Sequence, residues 1–166
     1  SEYERTAASF EADAWIIGRI SMEPYAGNAA LPARAGRARI PRTDFVARSD
    51  ASSYAIAIDP SGKLRWESSS IDEEHAVTVL TEQVSDHYLA FLRSRGVSYV
   101  FGGKTRIDLP KVLRKLRARF GIRKLLLEGG GLTVAKLVQD PPRILVAEVV
   151  DLAALQGRQQ QQRRGG

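Results

Sequence analysis

The segment best suited to hold an anion is 124–131, where an apolar run ends in Glu128 and is followed by Gly129, Gly130 and Gly131 ahead of a predicted helix. Glycine leaves no side chain between the backbone and a ligand, so the N–H groups of such a turn can point at an anion. The start of the following helix adds the positive end of its dipole. These glycines therefore predict a phosphate or pyrophosphate site. The alternative is a flexible connection between a strand and a helix.

Two arginines also follow short apolar runs. Gly18, Arg19 and Ser21 come directly after the first run, and Arg48 comes after the second. A guanidinium is a planar fork of donors that can grip a phosphate, and a serine hydroxyl can donate to the same group. Arg48 stands where the extra phosphate of a dinucleotide is often bound. The alternative for both arginines is a solvated side chain at the end of a strand.

Two other predicted strand ends carry residues of interest. Gly102 and Gly103 form the same kind of junction as the three glycines, although a plain turn would also explain them. Glu128 is an acid at the end of a predicted buried strand, where its carboxylate could accept hydrogen bonds from a substrate amide or amine. An exposed residue at a strand end is the alternative for Glu128.

Short apolar runs alternate with amphipathic segments, which predicts an α/β domain with a mainly parallel sheet and right-handed crossovers. In such open sheets the ligand lies beyond the carboxyl ends of the strands, so the residues above should gather at one edge. We predict strands at AWIIG, TDFVAR, VTVLTE, VSYVFGG and KLLLEG, and a hairpin or strand–turn–strand at YAIAIDPSGKLRWE. We predict helices at SDHYLAFLRSR, capped by Ser85, and at DLPKVLRKLRARF, capped by Asp108.

The composition excludes several kinds of site. The chain has 166 residues and no cysteine, which suits one domain and excludes disulfides, thiolate nucleophiles and cysteine-ligated metals. Its two histidines are too few for a histidine-based metal site, so we predict no metal. No apolar run approaches the roughly 18 residues that a membrane span needs, and no signal segment opens the chain, so we predict a cytoplasmic protein. Residues 1–150 should form the single domain, and the Gln-, Arg- and Gly-rich segment 151–166 a disordered tail.

The formal net charge of +6 allows two classes of ligand. Part of the positive charge lies in the tail, and the remaining excess fits an anionic small molecule as well as a nucleic acid. Lys111, Arg114, Lys115 and Arg119 form the polar face of a predicted helix, which we interpret as a plain solvated face. Because aromatic platforms for base stacking are absent, a basic nucleic-acid-binding module is the less favoured alternative.

Four segments occur in the order typical of a known superfamily. FEADAWIIGRISME resembles the stretch D-A-hydrophobic-hydrophobic-G-R-x-T/S-x-E of dihydrofolate-reductase-like proteins, and TDFVARSD resembles their next strand. VSYVFGG and KLLLEGGG resemble the two glycine-ended strands that follow. The combination is similar to the C-terminal reductase domain of the bacterial riboflavin-pathway deaminase–reductase and to its stand-alone relatives. The resemblance covers about residues 1–131.

This resemblance implies a three-layer fold in which helices flank a mainly parallel sheet, and an NADPH-dependent reductase similar to 5-amino-6-(5-phosphoribosylamino)uracil reductase. The cofactor would supply the hydride, and the protein would supply placement and electrostatics rather than a nucleophile. The substrate would be a small pyrimidine or pterin-like heterocycle, and the protein a homodimer. Glu128 would face the substrate. The residues implied to meet NADPH are Gly18, Arg19, Ser21, Arg48 near the 2′-phosphate, Gly102, Gly103, Gly129, Gly130 and Gly131.

The sequence departs from the family pattern at both ends. The family usually begins with a core strand, and this sequence starts after that point. The segment after Gly131 does not follow the family's usual course either. We therefore expect a chain that is truncated at its N-terminus and divergent after Gly131. The alternative function is a catalytically incomplete remnant of the same fold.

Overall fold

The computed structural model of the chain describes residues 12–33, 39–128 and 145–149. The elements in chain order are β1 (Ala14–Gly18), α1 (Arg19–Ala26), β2 (Tyr54–Ile58), β3 (Ser70–Ile71), β4 (Glu74–Thr81), α2 (Asp86–Arg95), β5 (Ser98–Gly103), α3 (Leu109–Phe120), β6 (Lys124–Glu128) and β7 (Leu145–Val149). The predicted anion-binding glycines 129–131 and the predicted tail 151–166 lie outside the described residues.

The sheet is almost entirely parallel. Its strand order is β3–β4–β2–β1–β6–β7, and β5 also pairs with β4. Every described pair is parallel except β3 with β4. The parallel strands therefore end at one edge, which we call the carboxyl edge, and begin at the opposite amino edge. The prediction of an α/β fold with a mainly parallel sheet is confirmed.

The core has two layers, one on each face of the sheet. Side chains from alternate positions of the strands pack against α3, which buries Val112, Leu113, Leu116 and Phe120. The intervening positions pack on the other face against α1 and α2, which contribute Met22 and Leu89. Helices on both faces of a central sheet make the three layers that the family resemblance implies. Burial of each such side chain stabilises the fold by about 1.5–3 kcal/mol.

The ends of the two longer helices follow from local chemistry. The Ser85 hydroxyl accepts a hydrogen bond from the N–H of Tyr88 (3.0 Å), and the Asp108 carboxylate accepts one from Lys111 (3.3 Å). These bonds satisfy N–H groups that the first turn of a helix leaves free. Gly96 and Gly121 end the same helices in the left-handed conformation. Both predicted caps are confirmed.

The prediction of a strand at TDFVAR is wrong. Within this segment only Phe45 pairs with the sheet, through one antiparallel bridge to Tyr99 in which both backbone bonds are 2.9 Å. On either side of this bridge, side chains replace the backbone-to-backbone hydrogen bonds of a paired strand. Asp44 accepts the N–H of Phe101, and Ser98 accepts the N–H of Ala47. The segment thereby covers the outer edge of β5, which would otherwise be open to pairing with another chain.

The prediction of a hairpin at YAIAIDPSGKLRWE is wrong in its second half. β2 forms as expected, but both of its edges are occupied by parallel neighbours, β1 and β4. After the turn at 59–62 the chain instead runs beside α1, and Arg65 forms a parallel bridge with Asn28, which lies just after the end of that helix. Leu64 and Trp66 alternate with more exposed residues because one side of this segment packs into the core. The segment does not pair with β2 as a hairpin strand would.

Candidate functional site

The first strand ends in a glycine beside open space. Gly18 precedes α1 with an extended backbone (φ −71°), and no described atom lies within 4 Å of the position that a Cβ would take. It pairs with Ile58 of β2 on one side, and on the other side β6 ends at Glu128 beside β1. A ligand can therefore approach the backbone closely at the centre of the carboxyl edge.

Arg19 and Ser21 lie in the first turn of α1 at this edge. The Arg19 guanidinium is 2.6 Å from the carboxylate of Glu23, one helical turn further on, and Ser21 is exposed. Ile20 between them is 72% exposed, which places an apolar surface beside the open backbone of Gly18. The structure thus brings Gly18, Arg19, Ser21 and the backbone of Glu128 to one edge, as the sequence predicts.

A cleft of about 640 Å³ opens between α1 and the segment that follows β2. Lys63 and Arg65 line it on one side. Its other lining residues are Glu23, Pro24, Gly27, Asn28 and Glu67. The charged residues that line the cleft are thus two cations and two carboxylates, and one of the carboxylates, Glu23, pairs with Arg19, which is not itself part of the lining.

Sequence reasoning missed Lys63 and Arg65. The signal was present, since the turn at 59–62 follows a predicted strand and the two cations follow the turn. The alternating pattern of Leu64 and Trp66 led instead to a hairpin, which would have placed both cations on a second strand. Their position in the cleft depends on the return of the chain along α1.

The glycines that end β5 have a structural explanation. A Cβ on Gly103 would lie 2.0 Å from the carbonyl oxygen of Arg106, and one on Gly102 would lie 3.0 Å from side chains of Ile107 and Val112. The carbonyl of Gly102 accepts the N–H of Asp108, which begins the turn into α3. The tight turn thus accounts for both glycines without a ligand, and their contact with a cofactor stays a prediction.

Arg48 does not lie at the carboxyl edge. The neighbouring Ala47 donates to Ser98, the first residue of β5, and Arg48 lies close enough to His75 to influence its charge. Its side chain is 54% exposed, and its guanidinium pairs with Asp50 at 2.9 Å. The prediction that Arg48 lies at the carboxyl edge is therefore wrong, because TDFVAR runs along the outer edge of β5 instead of entering the sheet as a strand.

Two of the cations on α3 are not plain solvated residues, contrary to the sequence interpretation. Lys115 and Arg119 contact the two carboxylate oxygens of Asp44 at 3.0 and 2.6 Å, and the Asp44 side chain is only 2% exposed. Burial alone would raise the pKa of Asp44, but hydrogen bonds from Phe101, Arg119 and Lys115 outweigh it and lower the pKa. These cations hold the edge cover in place.

Among residues 12–33, 39–128 and 145–149, no group of three or more His, Asp or Glu side chains could hold a metal ion. No helix among the described residues has the length and apolar character to cross a membrane.

The family model of the RibD C-terminal domain matches residues 10–141. The chain belongs to this family. The match includes Gly18, Arg19 and Ser21, as well as the glycines 129–131, and it reaches beyond Gly131, where the resemblance was expected to end. The RibD C-terminal domain is the reductase domain of the riboflavin-pathway deaminase–reductase, and its dihydrofolate-reductase-like α/β fold agrees with the observed sheet. No curated protein matches the chain.

The described residues fit the nicotinamide cofactor that known members of this family bind. The space beside Gly18 would admit a phosphate against the backbone, since any Cβ would partly fill it. The first turn of α1 presents free N–H groups and the positive end of the helix there. Arg19 stands in the same turn.

Proposed function

We propose that this RibD C-terminal domain is an NADPH-dependent reductase of a small pyrimidine or pterin-like heterocycle in the cytoplasm, similar to 5-amino-6-(5-phosphoribosylamino)uracil reductase. The observation that carries the proposal is the open turn at Gly18 and Arg19 beside the cleft that holds Lys63 and Arg65. The family resemblance further suggests a homodimer, which sedimentation equilibrium of the purified chain would test.

The family resemblance supports the proposed roles, and the places of Gly18 and Ser21 at the carboxyl edge are consistent with theirs. The cofactor, when bound, supplies a hydride, so the protein's task is to hold the reactants in place. The pyrophosphate would lie against the backbone of Gly18 and of Gly129, Gly130 and Gly131, with Ser21 donating its hydroxyl. Glu128, at the end of β6, would accept hydrogen bonds from the substrate.

The 2′-phosphate of NADPH would lie between Lys63 and Arg65, which line the cleft. Each charge-assisted hydrogen bond from these cations could contribute about 1.5–3 kcal/mol. Glu67 lies in the same cleft and opposes an anion, so the net preference is set by the two cations Lys63 and Arg65 against two carboxylates, one of which, Glu23, is already paired with Arg19. NADH lacks this phosphate and would not benefit from the cations.

The test compares the affinities of NADPH and NADH by nicotinamide fluorescence. Because the carboxylates of Glu23 and Glu67 offset part of the gain from the two cations, the double variant Lys63→Gln/Arg65→Gln should weaken NADPH binding by about ten- to a hundredfold, the contribution of one such bond, and leave NADH binding nearly unchanged. The matched control is Arg48→Gln, which removes an exposed cation at the opposite edge and should preserve the preference for NADPH. A preference that depends on Arg48 and not on Lys63 or Arg65 would contradict this assignment.

The catalytically incomplete form of the same fold makes a different prediction. It would bind NADPH weakly or not at all, and no substrate of the proposed class would oxidise the bound cofactor. Single-turnover mixing of the chain with NADPH and the ribosylamino-pyrimidine phosphate, followed by absorbance of the reduced nicotinamide, separates this alternative from an active reductase.

A further inference from the structure

The turn that leads into Lys63 is built around the ring of Tyr88 on α2. Gly62 has a positive φ of 70°, and a Cβ there would lie 2.7 Å from the Tyr88 ring, so only a glycine lets the turn pack this closely. The guanidinium of Arg65 lies over the same ring, 5.5 Å from its centroid. One aromatic face therefore supports both the turn and one of the two cations.

The Tyr88 hydroxyl joins the same unit. It donates to the carbonyl of Leu64 at 2.7 Å and lies 3.3 Å from the carboxylate of Asp59. The Asp59 carboxylate is fully buried and accepts the N–H groups of Lys63 (2.8 Å) and Leu64 (2.9 Å). Burial and the nearby charge of Asp59 raise the pKa of Tyr88, so the hydroxyl keeps its proton and remains a donor.

These contacts fix the backbone on both sides of Lys63 while its side chain stays exposed. Arg65 is held by the Tyr88 ring and by the carbonyls of Gly62 (3.2 Å) and Leu64 (3.4 Å). A ligand that met these cations would find the Arg65 guanidinium and the Lys63 backbone already placed, and it would not have to order the loop on binding. A loop that is already ordered should therefore bind an anionic group between the two cations more tightly than a loop that must become ordered on binding.

We infer that Tyr88 is a positioning residue that, together with Asp59 and Gly62, holds Lys63 and Arg65 ready for a phosphate group. The inference rests on the proposed function, because it takes the phosphate to be the one that distinguishes NADPH from NADH. Tyr88 itself does not touch the cofactor. Its hydroxyl acts through the carbonyl of Leu64, and its ring acts through Arg65 and Gly62.

The experiment removes the hydroxyl and keeps the ring. Tyr88→Phe should lower the ratio of NADPH affinity to NADH affinity by about three- to tenfold, which corresponds to the usual cost of ordering one or two side chains on binding. The matched control is Tyr99→Phe, because the buried hydroxyl of Tyr99 accepts from Arg93 and takes no part in the cleft. Tyr99→Phe should leave the ratio unchanged even if it lowers the melting temperature.

A second route separates positioning from general stability. In the Lys63→Gln/Arg65→Gln background, Tyr88→Phe should no longer change the ratio, because the cations that it positions are gone. A merely structural role of Tyr88 would lower the melting temperature in both backgrounds and leave the ratio alone. If Tyr88→Phe does not fold, Gly62→Ala disturbs the same unit from the turn side and should lower the ratio in the same way.

The outcomes for the two proposals differ. A parent that prefers NADPH, with a folded Tyr88→Phe or Gly62→Ala variant of equal preference, would overturn the positioning role and leave the proposed function standing. A parent with no preference for NADPH would overturn both. A fall in the ratio that vanishes without Lys63 and Arg65 would support the inference.

Discussion

The backbone N–H of Phe101 donates to the carboxylate of Asp44 at 2.9 Å, across 57 positions of the sequence. Lys115 bonds both to this carboxylate (3.0 Å) and to the carbonyl of Phe101 (2.9 Å). Arg119 holds the other carboxylate oxygen. One buried acid thus joins the edge cover, the outer strand β5 and helix α3, just before the turn at Gly102 and Gly103.

Removal of this acid should destabilise the fold. Asp44→Ala would leave the Phe101 N–H without its partner and two cations without their counter-charge, so we expect a loss of about 2–4 kcal/mol in the free energy of unfolding. Urea unfolding monitored by tryptophan fluorescence would measure it. Asp50→Ala, which removes the exposed partner of Arg48, should have no measurable effect, and equal losses in the two variants would contradict the role assigned to Asp44.

Acid should destabilise the protein first through His75. Burial, and secondarily the charge of Arg48, lower the pKa of His75 below its ordinary value of 6.5. The unfolded chain therefore binds a proton near pH 6.5 that the folded chain still excludes, so stability is full above this pH and falls as the pH drops toward the folded pKa. Unfolding in urea at pH 7.5, 6.0 and 5.0 should show this loss, and His75→Gln should flatten it.

The control for this experiment is a variant that keeps His75. Gln83→Ala changes an exposed side chain that carries no charge, so it should keep the pH dependence of the parent between pH 7.5 and 5.0. Asp44 contributes to stability in a separate pH range, because its pKa in the folded state is below the ordinary value of 3.8. Its stabilising effect is therefore complete above about pH 3.8 and is lost only as the pH falls below that value. A slope between pH 7.5 and 5.0 that survives His75→Gln would show that another group titrates there.

Substitution by alanine should affect mainly binding at one glycine of the carboxyl edge and mainly stability at another. Gly18→Ala places its methyl group in open space, so we expect less than about 1 kcal/mol of change in stability and about tenfold weaker NADPH binding. Gly103→Ala forces a methyl group against the carbonyl of Arg106, so we expect a loss of stability of about 1–3 kcal/mol. Thermal melts and NADPH titrations of both variants would check this, and a stable Gly103→Ala variant would remove the structural explanation of that glycine.

The three glycines after β6 support a prediction from sequence alone. If Gly129, Gly130 and Gly131 approach the pyrophosphate by backbone, Gly130→Val should abolish NADPH binding and leave the melting temperature nearly unchanged. A plain connecting loop would instead give a variant that binds as well as the parent. The measurement is the NADPH affinity of the parent and of Gly130→Val, with their thermal midpoints as the check on folding.

Local signals in the sequence predicted much of this protein. The caps at Ser85 and Asp108 depend on contacts three residues apart, and the parallel sheet follows from the alternation of apolar and amphipathic segments. The carboxyl edge with Gly18 and Arg19 could also be predicted, because all parallel strands end at the same edge. These features need no knowledge of which distant segments meet.

The tertiary structure decided which charges share that edge. Arg48 and Lys63 both follow a strand-like apolar pattern, yet Arg48 lies toward the amino edge and Lys63 in the cleft beside α1. The alternation that suggests a strand is produced equally by any extended segment with one buried side. Whether such a segment joins the sheet depends on which strand edges are still free, and this is settled only when β1, β4 and the Asp44 carboxylate have taken their partners.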